Sequence, residues 1–206
     1  MNIMYNYTKI LNIIQLCATI YAYQFILAHI LIGKDCDIMS GFKEISPSDI
    51  KNNTFDLIGK DWALVTAENN GGCNMMTASW GGVGVMWNKP VAFTFIRPQR
   101  FTYELIEKED YFTLSFYDEK YRKALNFCGT KSGRDYDKAK ECNLTPVYDE
   151  KAPYFEEASL VLVCKKLYAQ DLNEQSIIEK TTVLPSYNGG DYHRMYISEI
   201  VKVLKK

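Results

Sequence analysis

Residues 111–117 alternate without a break: Phe112, Leu114 and Phe116 fall on one side, and Tyr111, Thr113, Ser115 and Tyr117 on the other. A side-chain period of two marks a half-buried β-strand, because helical side chains repeat every 3.6 residues. The composition agrees. The 206 residues include 15 Tyr, 10 Phe and 3 Trp, wide side chains that sheets favour, and 47% of the chain is hydrophobic. That is apolar material for one core, or at most two small ones, and it excludes a disordered chain.

Other strands can be read around this one. Trp62–Thr66 is a short buried run, a second strand surrounds Met75–Trp80, and Val91–Ile96 follows Pro90. Ser159–Tyr168 and His193–Leu204 are longer and rich in β-branched residues. Gly81-Gly82-Val83-Gly84 is expected to break the second strand. Ser46-Pro47-Ser48-Asp49 carries helix-start chemistry for a short turn. Arg100–Asp110 reads as a helix with Thr102 as its N-cap, Asp118–Phe127 as another, and Ser132–Cys142 as a polar helix. Residues 170–191 read as a polar loop. About six strands with helices inserted irregularly argue for a mainly β fold, an antiparallel sheet closed into a barrel.

Charge and cysteines narrow the class. With 24 basic and 25 acidic residues the net charge is −1, and no Lys/Arg block offers the footprint of nucleic-acid binding. Six cysteines at irregular spacing form no CxxC pair and have no His pair near them, so they read as reduced cytoplasmic thiols rather than zinc ligands or a disulfide framework. Residues 10–33 hold no Lys, Arg, Asp or Glu and are long enough to span a bilayer. Asn12, Gln15, Gln24 and His29 interrupt that run. Residues 1–38 therefore stand as a dispensable or mis-started extension, a membrane anchor through 10–33, or a cleaved leader, and residues 39–206 as the working domain.

No self-sufficient catalytic constellation exists. His193 is the sole histidine after residue 38, and GxSxG, HExxH, P-loop and GxGxxG patterns are absent. On its strand, His193 reads as a satisfied structural histidine. Any redox or transfer chemistry must then come from a bound group. Three clusters suit an anionic, flat ligand. Thr77-Ala78-Ser79-Trp80 places two hydroxyls before a glycine-rich turn, although it equally suits a capped turn with Trp80 in the core. Arg97-Pro98-Gln99-Arg100 precedes a helix whose first turn holds Thr102, so guanidinium donors, a hydroxyl and a helix N-terminus converge; the other reading is two solvated arginines. Asn126-Phe127-Cys128-Gly129-Thr130-Lys131-Ser132-Gly133-Arg134-Asp135 joins two glycines, hydroxyls and cations in one loop that leads into a helix, and taken alone is a basic loop with Cys128 a buried thiol. Ser115 and Phe116, on the strand these clusters flank, offer a hydrogen bond and a flat apolar contact.

The runs NMMTASWGG (74–82), VMWNKP (85–90), FIRPQRFT (95–102), FTLSF (112–116), CGTKSGRD (128–135) and YHRMYISEIVKVL (192–204) together resemble the flavin reductase-like family of the flavoredoxin type. The resemblance covers residues 39–206 and leaves the leader outside. It implies an FMN-binding split barrel, a homodimer, and electron transfer from NADH or NADPH through flavin to an acceptor. The alternatives it leaves are an electron carrier that exchanges with a redox protein partner, and a non-catalytic flavin-binding protein, tethered to a membrane if residues 10–33 are retained. By that resemblance Thr77, Ala78, Ser79 and Trp80 line the ring and ribityl region, while Arg97, Arg100 and Thr102 hold the phosphate. Ser115 and Phe116 approach the ring, and Cys128, Gly129, Lys131 and Ser132 close the pocket. No side chain is expected to act as a catalytic acid or base, and no metal is expected.

Overall fold

A computed structural model describes residues 41–187 and 189–206. The expectations for residues 1–38 lie outside the described residues. In chain order the elements are β1 (Lys43–Ile45), a turn at Pro47–Asp49 capped by Ser46, a wide turn at Asp56–Asp61, β2 (Ala63–Asn69), β3 (Gly72–Ala78), β4 (Gly81–Met86) and β5 (Lys89–Ile96). Then follow α1 (Phe101–Lys108), β6 (Tyr111–Phe116), a turn at Glu119–Tyr121, α2 (Arg122–Thr130), α3 (Lys138–Glu141), β7 (Pro146–Val147) and β8 (Tyr154–Phe155). β9 (Leu160–Asp171), a turn at Glu174–Ser176, α4 (Lys180–Val183), a turn at Leu184–Ser186 and β10 (Arg194–Lys205) complete the chain.

The main sheet is antiparallel, in the order β3-β2-β6-β9-β10-β5-β4. β10 is long enough to serve two neighbours along one edge: residues 194–199 pair with β5 and residues 203–205 with β1. Its register against β9 shifts between Ile197 and Ser198 and again between Ile200 and Lys202, which bends the strand where its partner changes. Val65, Ile96, Phe112, Leu162, Tyr196 and Val203 meet in the core, and α1 packs on β2 and β3.

One expectation is extended and three change. The second strand breaks as expected, β3 ending at Ala78, but the glycine-rich segment after the break is itself a strand, β4, paired with β5. Gly81 has φ +154, and a Cβ there would fall 2.6 Å from Phe93 O, so glycine is what lets β4 lie against β5. β6 is buried on both faces rather than half buried, because the segment before β8 covers its second side, where Thr113 Oγ1 donates to Pro153 O at 2.6 Å. The helix at 132–142 shrinks to α3: the Ser132 carbonyl accepts from Asp135 and Tyr136 in a turn, and Asp137 supplies the cap through Lys140 N at 3.2 Å. Arg100, not Thr102, occupies the N-cap position of α1, and the Thr102 hydroxyl accepts from Asn74 Nδ2 at 2.8 Å. Among the described residues no helix is long and apolar enough to cross a membrane.

Candidate functional site

β3 and β5 end side by side, and their last residues open two adjoining clefts. The smaller, about 220 Å³, is bordered by Thr77, Ala78, Ser79 and Trp80 from β3 and the turn after it, with Phe95 from β5 and His193 just before β10. The Trp80 ring is about half exposed and stands 4.9 Å from the His193 ring. This is an aromatic slot. The larger cleft, about 450 Å³, is bordered by Arg97, Arg100, Lys131, Lys138, Thr102 and Ser132, with no carboxylate in its wall. Met76, Arg97 and Arg100 border both.

The cationic side chains are held by the fold. Arg97 pairs with Asp191, donates from Nη2 to Ser186 O at 2.8 Å, and lies over the Tyr187 ring at 5.6 Å. Gln99 donates to the same Asp191 carboxylate. Arg100 Nη1 donates to Gly129 O at 2.6 Å, joining the β5 end to the end of α2. Burial and the neighbouring Arg97 both lower the Arg100 pKa. Lys131 lies 5.6 Å over the Tyr136 ring, and Ser132 Oγ accepts from Arg134 N.

Lys138 is the unusual member. It is only 4% exposed, yet among the described residues it has no carboxylate partner; its ammonium donates to Cys128 O at 3.1 Å and Lys131 O at 3.3 Å. Burial pushes its pKa down, and Arg100 acts in the same direction. A buried cation among other cations is costly until an anion joins it. The donor set of this cleft, four cations with hydroxyls and no acid, fits a phosphate monoester.

His193 stays neutral at pH 7. Burial and then Arg97 lower its pKa, which falls to about 4 although Asp191 opposes the shift, and its Nδ1 is 3.1 Å from the Tyr187 hydroxyl.

The fold brings most of the sequence-derived residues together but not all. Thr77, Ala78, Ser79, Trp80, Arg97, Arg100, Thr102, Lys131 and Ser132 border the two clefts. The Thr77 hydroxyl is also committed to Leu125 O at 2.5 Å, pinning β3 to α2. Gly129 stands behind the wall: a Cβ there would come within 3.3 Å of Thr77 Cβ. Ser115 and Phe116 lie inside the core on β6, and Cys128 is buried with its Sγ 3.8 Å from that of Cys142; none of the three borders a cleft. Residues 170–191, read from sequence as a polar loop, carry Asp191 and Tyr187 back to support Arg97 and His193. Asn74, Lys138 and His193 were not singled out as binding residues. Asn74 opens the NMMTASWGG run and His193 is the second residue of the terminal one, so both had a signal, whereas nothing in Lys138-Ala139-Lys140-Glu141 distinguishes its first lysine.

Solved structures share the fold. The chain matches a flavoredoxin from Methanosarcina acetivorans at TM-score 0.58 and 22% identity, covering 80% of this chain and 76% of that one. It matches an FMN-binding domain of a flavin reductases-like enzyme from Shewanella baltica at TM-score 0.58 and 17% identity, over 80% and 76%. A NADH:FAD oxidoreductase from Streptomyces globisporus, in complex with NAD and FAD fragments, matches at TM-score 0.51 and 18% identity, over 71% and 74%. No curated protein matches. The family model for the flavin reductase like domain matches residues 56–205, from the wide turn before β2 to the end of β10, a range that takes in both clefts and every strand of the main sheet but β1. The chain therefore belongs to the flavin reductase-like family and has its split-barrel fold.

Proposed function

We propose that this chain is a flavin-dependent oxidoreductase that binds FMN and passes electrons from NADH or NADPH to an acceptor. The observation that carries the reading is the buried, carboxylate-free Lys138 beside Arg97 and Arg100. A terminal phosphate there would be held by Arg100, Lys131 and Lys138, with Thr102 and Ser132 as hydroxyl partners. The ring would lie against Ala78, Ser79 and Trp80. Bound flavin supplies the reversible hydride and electron chemistry.

The chain's own work is binding and orientation. Arg97 is fixed by Asp191 and Ser186, so it arrives in the cleft already positioned. Neutral His193 adds an aromatic edge beside Trp80 without adding charge. No side chain is needed as a general acid or base. Ser115, Phe116 and Cys128 act from behind, as packing under the cleft floor.

Anaerobic mixing of flavin-loaded protein with NADH or NADPH tests the reading. Bleaching of the yellow colour on a turnover timescale is expected, and a colour that persists would leave an electron carrier without nicotinamide chemistry. Arg100→Ala removes a charge-assisted donor, so FMN affinity is expected to fall by about tenfold to a hundredfold in an equilibrium titration.

The same reading takes in two copies of the chain, a cytoplasmic location and residues 39–206 as the flavin-binding domain. Support for the dimer comes from β4, an edge strand with Val85 78% exposed, and from Trp87 in the turn after it, 52% exposed, beside an apolar cleft of about 500 Å³ lined by Pro47, Ile50, Val83 and Ile200. Support for a reducing compartment comes from Cys73, Cys128, Cys142 and Cys164, all free thiols.

A further inference from the structure

Two thiols meet behind the cationic cleft. Cys128 lies in the last turn of α2 and is fully buried, while Cys142 follows α3 as its C-cap and is partly exposed. Their sulfurs stand 3.8 Å apart, in van der Waals contact, and Cys142 Sγ is also 3.8 Å from Ala124 O. Among the described residues no other two cysteines are in contact through their sulfurs.

The pair has an access route and a cation beside it. Cys142 borders a surface cleft of about 440 Å³ together with Lys120, Lys123 and Phe127, so a small oxidant reaches its sulfur first and Cys128 only through it. Burial raises both thiol pKa values, that of Cys128 to about 12, and the Lys138 ammonium opposes the rise at each. The two therefore rest as thiols at pH 7 and respond where oxidant accumulates.

We propose that Cys128 and Cys142 form a reversible disulfide through which hydrogen peroxide acts on the position of Lys138. Peroxide oxidises the Cys142 thiol to a sulfenic acid and one water is released. The Cys128 sulfur then attacks that sulfur, the S–S bond forms as the S–O bond breaks, and a second water leaves with the Cys128 proton. Two thiols thus lose two electrons and two protons, and the peroxide becomes two waters. A dithiol reductant reverses the step by exchange. Transient disulfides of this kind belong to reducing compartments.

A disulfide holds its sulfurs about 2 Å apart, so closing the gap draws the end of α3 towards α2. The Cys142 amide donates to Lys138 O at 3.1 Å, and the movement reaches the lysine through that bond. The Lys138 ammonium is already committed to Cys128 O and Lys131 O, and the residue is too buried to follow freely. Oxidation thereby shifts a cation of the phosphate cleft. This consequence rests on the reading that a flavin phosphate binds there; the disulfide itself does not.

The full flavin-free chain treated with hydrogen peroxide, digested with trypsin without reductant and mapped by mass spectrometry tests the bond. FMN titration before oxidation, after it and after dithiothreitol tests the coupling. Peptides 124–131 and 141–151 are expected to appear linked. FMN affinity is expected to fall at least about threefold on oxidation and to return with dithiothreitol. Cys142→Ser is expected to bind FMN as the reduced natural chain does, which shows that it folds, and to keep that affinity under peroxide; Cys73→Ser still forms the link. Peroxide that leaves both residues as thiols, or carries Cys142 to a sulfinic acid without a link to Cys128, overturns the proposal. A link formed with FMN affinity unchanged overturns the coupling to Lys138. Failure of the reduced chain to bind FMN overturns the flavin reading and the coupling with it, while the mapped link still decides the disulfide.

Discussion

At His193 the surroundings set a pH dependence whose sign can be worked out. Burial and Arg97 hold its pKa at about 4, against 6.5 for the free side chain. Between those values the unfolded chain takes up a proton that the folded chain refuses. The stability His193 contributes is therefore complete above pH 6.5 and is lost as pH falls towards 4. Urea unfolding at pH 7.5, 6 and 5 is expected to show a steeper loss for the natural chain than for His193→Asn; equal slopes would contradict this environment. A Cβ on Gly133 would overlap Asn74 Oδ1, so Gly133→Ala is expected to push Asn74 aside, loosen its bond to Thr102 and weaken FMN binding at least several-fold, with calorimetry as the measurement. Single positions were unevenly legible in the sequence. Arg97 and Arg100 could be read because a hydrophobic strand ends beside them and a helix starts after them. Lys138 could not: its burial arises from contacts with residues 128 and 131, and a local charge pattern carries no trace of them.

Among the elements, β4 shows that a glycine-rich segment can follow a break and still form a strand. Three glycines in four residues suggest a break, and β3 does end just before them; their own pairing with β5 was not legible, and Phe93 O approaches so closely that only hydrogen fits at Gly81. Gly81→Ala is expected to destabilise the fold by about 1–3 kcal/mol in urea unfolding, from the disfavoured backbone and the clash together. A glycine signal passed over in the sequence is Asn70-Gly71, with φ +49 and +82, a two-residue hairpin turn joining β2 to β3. That dipeptide is a strong hairpin signal and fixes the register that sets Asn74 and Thr77 on their strand. The strand β6 was legible from its unbroken alternation, and β9 and β10 from their length and β-branched content. The segment 132–142 misled because its polar residues suit a helix, while the Ser132 carbonyl turns the chain before one can form.

For the whole molecule, the exposed β4 edge leads to a statement about assembly. The full chain is expected to run as a dimer in light scattering, and Val85→Glu, which places a charge on the apolar edge, is expected to shift it towards monomer; a monomeric natural chain would contradict the proposed pairing. Residues 39–206 are expected to fold without the preceding segment and to bind flavin, since every described strand lies within residues 43–205. The order of the six family-like motifs made the barrel legible from sequence. The meeting of its two clefts at Met76, Arg97 and Arg100 was not, because it depends on how β3 and β5 end beside each other. The central claim is that this cation-rich cleft captures the phosphate of a flavin. Riboflavin and FMN differ only by that phosphate, so equilibrium titration of the full chain with each tests it most directly. FMN binding at least about a hundredfold tighter than riboflavin is expected from charge-assisted contacts to several cations. Equal affinity for the two would contradict the account.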